Sequence, residues 1–150
     1  MRLTREFHAR GGRVTAGSDP GYIYQTWGFA YIGELEMLRE AGLTPLEVIK
    51  AATYDGARSI YEPIDEQAPM GALREGMLAD MVVVPENPLA ILKVLYGTGH
   101  RRLNRQTNVM ETVGGVRWTI KDGIVYDAPA LLADVARMVD EQPVERITPP

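Results

Sequence analysis

The chain has 150 residues, 45% of them hydrophobic and 24% charged, which suits one globular domain or a piece of a larger one and excludes a disordered tail. A net charge of −4, with Arg101, Arg102 and Arg105 as the only basic cluster, gives no footing for a nucleic-acid backbone or an anionic membrane surface. The lack of Cys removes disulfides and thiolate metal sites. No run reaches the roughly 18 apolar residues of a membrane span, and no targeting segment is read in the first residues, so a soluble protein of undecided compartment is expected.

Residues 2–10 fit a short amphipathic helix, with Leu3, Phe7 and Arg10 at helical spacing and Gly11-Gly12 ending it. Arg13–Gly17 reads as a strand that delivers Asp19 into a loop, Pro20 to Thr26, rich in turn-forming and aromatic residues. A carboxylate at the carboxyl end of a strand following a helix is where (β/α) barrel enzymes place their chemistry. On local grounds alone an Asp before Pro-Gly is more often a turn residue. Phe29, Ile32, Leu35 and Leu38 then recur every three residues, predicting a helix over 28–41 stopped by Gly42. Glu34 and Glu36 on it can approach a barrel mouth, although solvated helix acids are the default.

Thr44-Pro45-Leu46-Glu47 is a capping box with Pro at the first helical position. The helix it opens is expected to run toward Ile60. Beyond Tyr61, Pro63 and Pro69 break the pattern. Met81–Val84 is apolar on both faces and predicts a buried strand. Asp80 before it reads as a structural residue bonding its own turn. Ala90–Tyr96 predicts a short helix, and Gly97-Thr98-Gly99-His100 lacks the third Gly of a dinucleotide fingerprint and reads as a loop. A meander follows over 109–126, turning at Gly114-Gly115 and at Asp122-Gly123, the latter a strong hairpin signal. Leu131, Leu132, Val135, Met138 and Val139 give an amphipathic helix expected to cap the sheet, and the tail from Gln142, with Pro143, Pro149 and Pro150, is expected to fray.

Ala16-Gly17-Ser18-Asp19, the run from Gly33 to Glu47, and Ala51-Ala52-Thr53 together resemble the end of a metal-dependent amidohydrolase barrel. Gly71, Gly76, Ala79–Val84, Asn87-Pro88-Leu89 and Lys121–Tyr126 are similar to that superfamily's return into its β-sandwich and its closing hairpin. Order and spacing hold over roughly residues 10–127, in the manner of an imidazolonepropionase-like amidohydrolase. The resemblance implies an α/β plus β fold: residues 1–60 as the last strand and helices of a (β/α)8 barrel, 61–127 as the carboxyl-terminal part of a composite β-sandwich, and 128–150 as a helix and tail.

It also implies that Asp19 ends the eighth barrel strand, touches a divalent metal, zinc by class, and takes a proton from the attacking water. A metal lowers the pKa of its water to roughly 7, and a nearby carboxylate can shuttle the proton to a leaving nitrogen. Tyr22, Tyr24 and Trp27 would contact a small amide-type substrate, because loops at strand ends set specificity in barrels; the plainer alternative is that they pack the loop. The family's remaining ligands have no counterpart here. A catalytic zinc takes about three protein ligands, and His8 and His100, the only His residues, match none of those positions.

A full barrel takes about 250 residues, so the expectation is a carboxyl-terminal fragment of an enzyme that hydrolyses C–N bonds of amides, cyclic amides or amidines. The fragment itself is expected to be inactive and to bind no metal tightly. The alternative is a non-catalytic module that self-associates, since a composite sandwich missing strands leaves its edges open.

Overall fold

The computed structural model describes residues 1–142. The frayed tail expected beyond Gln142 therefore lies outside the described residues. Helices come first and strands second: α1 (Arg2–Ala9), α2 (Ala30–Glu40), α3 (Pro45–Ala52) and α4 (Tyr54–Tyr61) precede β1 (Met81–Val83), β2 (His100–Asn104), β3 (Val109–Val113), β4 (Trp118–Lys121) and β5 (Ile124–Asp127), and α5 (Ala128–Asp140) closes the order.

The apolar stripe of α2 buries Ile32, Leu35 and Leu38. They pack with Ala41, Leu43, Val48, Ala51 and Leu92, and with the half-buried Val14, Ala16, Ile49, Ala52, Leu95 and Tyr96 around them. This core explains why α2 and α3 lie against each other. Gly42, at φ +104, makes the tight reversal between them, and the capping box starts α3 as the sequence predicts: Thr44 accepts from the Glu47 amide while Glu47 accepts from the Thr44 amide.

Seven sequence expectations need correction. Residues 13–17 pair with no strand; their main-chain bonds are Ala16 N–H to the Ala51 carbonyl and Gly17 N–H to Glu34. A barrel strand is held by neighbours on both sides, and none exists among the described residues. The helix expected from Pro45 to Ile60 breaks at Thr53, whose φ −127 and ψ −85 are not helical, giving α3 and α4. The short helix expected at 90–96 is a single 3₁₀ turn, Leu92–Leu95.

The meander is also rearranged. β3 pairs with β2, not with β4, in register His100↔Val113 to Asn104↔Val109. The stretch expected as a loop at His100 is thus a strand. β4 is the centre of a separate antiparallel sheet ordered β1-β4-β5, so Gly114-Gly115 joins two sheets instead of turning a hairpin. Asp122-Gly123 does turn one, between β4 and β5. β1, expected to be buried, is a three-residue edge strand with Val82 exposed. Finally, α5 buries no residue and so does not cap the sheet.

Candidate functional site

Asp19 sits just past the extended segment 13–17, in the left-handed region at φ 43. Asp tolerates that conformation better than most residues. The side chain is exposed. Two residues earlier, Gly17 donates its amide to Glu34 Oε1 at 2.8 Å. Glu34 Oε2 is buried with no hydrogen-bond partner among the described residues. α2 therefore holds the backbone that presents Asp19, and Glu34 is the residue that sequence reasoning undervalued as a solvated acid. Tyr31, one turn earlier, donates to the Ala52 carbonyl at 2.9 Å. Burial, and then the Glu34 charge, raise its phenol above the ordinary value.

The loop after Asp19 is closed by its own backbone, Gly21 N–H to the Gln25 carbonyl and Gln25 N–H to the Tyr22 carbonyl. Gly21, at φ +101, lets the Trp27 ring approach: a Cβ there would lie 3.3 Å from the indole. Trp27 thus lies against the loop while staying largely exposed, and Tyr24 is fully exposed. Tyr22 is exposed as well. None of these three aromatics, nor Asp19, lines the cleft beside α1.

That cleft lies elsewhere. It holds about 390 Å³ between the end of α1 and the α3–α4 pair, lined by His8, Arg13, Glu47, Lys50, Asp55 and Arg58 among others. Its charges are matched: Arg13 and Arg58 both meet Glu62, Lys50 meets Asp55, and His8 Nε2 stands 3.2 Å from Glu47. Arg13, Lys50 and Arg58 are thus each engaged by an acid, Glu62 standing outside the residues that line the cleft.

Other acids have structural duties. Glu36 accepts from the Tyr96 hydroxyl at 3.1 Å. Asp80 is structural, as its position before β1 suggests, but it bonds the β4–β5 turn instead of its own. Its Oδ1 takes the Asp122 amide and its Oδ2 the Lys121 ammonium, each at 2.7 Å. Those bonds hold its carboxyl below the usual range.

No three His, Cys, Asp or Glu side chains assemble a metal-holding group among the described residues. Asp19 has neither His8, which faces Glu47, nor His100, which opens β2. The His100 ring nitrogens are buried and without a hydrogen-bond partner among the described residues. The donor set present does not fit a zinc centre, which takes about three protein ligands.

The fold is a mixed helix and sheet arrangement that is shared with a solved structure. A crystal structure of a Xaa-Pro dipeptidase with bound methionine superposes with a TM-score of 0.60 at 23% identity, covering 83% of this chain and 25% of the dipeptidase. A crystal structure of an amidohydrolase covers 83% of this chain and 36% of its own at 20% identity, with a TM-score of 0.35. In sequence, 58 residues are 47% identical to ochratoxinase of Aspergillus niger, which is 38% of this chain and 11% of the relative. No protein-family model matches. The chain therefore spans a small part of the proteins it is similar to. The dipeptidase likeness shows the fold alone, and the ochratoxinase match is a local one.

Proposed function

We propose that this chain is the carboxyl-terminal part of a metal-dependent amidohydrolase whose parent hydrolyses C–N bonds, other than ordinary peptide bonds, in amides, cyclic amides or amidines. The observation that carries the reading is the ordered run of motifs from Ala16 to Tyr126, supported by the fold likeness over 83% of the chain. In the parent, Asp19 would be the metal-touching and proton-accepting carboxylate, and Tyr22, Tyr24 and Trp27 the substrate-facing loop. Glu34 would hold the backbone beneath Asp19. The chain alone supplies one of the several donors that a catalytic zinc takes, so it is inactive and binds metal weakly.

The test is a metal titration and an amide-hydrolysis assay on purified chain, alone and extended upstream in frame. The extended form is expected to bind zinc and to lose its activity in Asp19→Asn, while the chain alone does neither. Hydrolysis that co-purifies with residues 1–150 through successive columns would refute the inactive-fragment reading.

A second, compatible reading is a self-associating module. It is favoured by open strand edges: β1 and β5 bound one sheet, and β2 and β3 form a two-stranded one. Unpaired edges are templates for another copy.

A further inference from the structure

We propose that Glu34 and Tyr31, one turn apart on α2, are positioning residues that together set the backbone turn carrying Asp19. Three hydrogen bonds close a triangle around residues 16 and 17. Ala16 donates its amide to the Ala51 carbonyl at 3.3 Å, near the end of α3. Gly17 donates its amide to Glu34 Oε1 at 2.8 Å, and Tyr31 donates its hydroxyl to the Ala52 carbonyl at 2.9 Å. The segment is thus tied to α2 and to α3, and Tyr31 ties those two helices to each other. Residues 13–17 have no strand neighbour among the described residues, so these bonds do what a strand ladder would do.

Two costs sit in this triangle. Glu34 Oε2 is buried without a hydrogen-bond partner among the described residues, and an unsatisfied buried oxygen is expensive, more so on a carboxylate. Asp19 holds φ 43 directly before Pro20, where the proline ring pushes the preceding residue toward extended backbone. Such costs persist only where the surroundings over-determine them, and they gather at functional sites. Glu34 therefore serves the turn more than the stability of α2: its bond lies two residues before Asp19, and its second oxygen gains no bond. Both residues act through Asp19. The consequence for catalysis rests on the amidohydrolase reading, whereas the hold on the turn stands without it.

Gly17 is exposed, so its amide meets water as soon as the Glu34 bond opens, and its exchange rate reads that bond. In the full chain, Glu34→Ala should speed Gly17 exchange by about tenfold or more, the loss expected of a hydrogen bond to a charged acceptor. It should also weaken the strong amide–Hα Overhauser effect within Asp19 that a left-handed residue gives. Glu34→Gln keeps the accepting oxygen and should restore both signals. The amides of Leu35 and Val48 should keep their protection in each variant. Tyr31→Phe, which removes only the hydroxyl, should shift Gly17 in the same direction by less.

In the upstream-extended polypeptide, Glu34→Ala should lower kcat by about a hundredfold with KM little changed, as for a reacting group displaced by about 1 Å. Glu34→Gln should recover it. Unchanged Gly17 exchange and an unchanged Asp19 signal in Glu34→Ala would overturn the inference. So would equal acceleration of Gly17, Leu35 and Val48, which would make Glu34 a residue of general stability. A wild-type kcat in an extended Glu34→Ala that has lost the Gly17 bond would overturn it too. An extended wild type without hydrolase activity would instead sink the amidohydrolase reading, with the exchange results still deciding the turn.

Discussion

At the level of single residues, the capping box ties stability to pH. Glu47 accepts from the Thr44 amide and hydroxyl and stands beside His8. The Thr44 backbone and side-chain bonds, then His8, lower its pKa from 4.5 to about 2. A carboxyl depressed by folding contributes stability that is fully present above its unfolded pKa. That contribution is lost as pH falls through the folded one. Glu47 therefore stabilises the fold above pH 4.5 and ceases to do so toward pH 2. Glu47→Gln should be less stable than the wild type at neutral pH, and the gap should close on acidification. Urea titrations at several pH values would measure it, and a gap that stays constant to pH 2 would discard the assignment. Glu62, Asp80 and Asp127 shift in the same direction, led by bonds from Arg13, Lys121 and the Ala130 amide respectively. The wild type should consequently lose stability in acid even without the Glu47 contribution.

Among the elements, the junctions decide what local patterning does not. Gly114, at φ +74, lies where a Cβ would be 2.9 Å from Val94 Cα, and Val94 is fully buried. The left-handed backbone and the contact together hold the 3₁₀ turn against the link between the two sheets. Gly114→Ala should destabilise the chain by about 1–3 kcal/mol, measured by thermal unfolding. A loss no larger than that of an exposed glycine such as Gly17 would show the junction to be soft. The strong local signals were legible in the sequence: the α2 stripe, the capping box at Thr44, and the Asp122-Gly123 hairpin each formed as predicted, because each is satisfied within a dozen residues. Strand pairing was not. Residues 109–113 alternate just as well against β2 as against β4, and the choice depends on tertiary placement. The segment 13–17 reads as a strand because barrel strands are buried on all sides, yet strand character needs partners. Asp19 was singled out from motif order, and its role is a proposal. Glu34 was read by default as solvated because a carboxylate bonded to a backbone amide has no sequence signature distinct from a solvated one.

For the molecule as a whole, apolar burial is uneven. The buried cluster draws on α2, α3, the Leu43 turn and Leu92, whereas no strand contributes a fully buried large side chain among the described residues. The β2–β3 pair is an isolated two-stranded ribbon, with Leu103, Val109 and Met110 exposed. Such a ribbon is at best marginally stable in water. Local opening follows local burial. Amide exchange should therefore be slowest over Ile32–Leu38 and Val48–Ala51, at the global unfolding limit, and faster by orders of magnitude over His100–Val113. Leu35→Ala, removing a side chain only 2% exposed, should cost about 2–5 kcal/mol. It should accelerate exchange in the helices while leaving the β2–β3 amides nearly unchanged. Equal acceleration in both regions would mean that helices and sheets unfold as one cooperative unit. The hairpin would then owe its order to contacts beyond its own two strands. The expected asymmetry also bears on the reading as a fragment, because the parts that lack burial here are the parts an adjoining polypeptide, or a second copy, would have to cover.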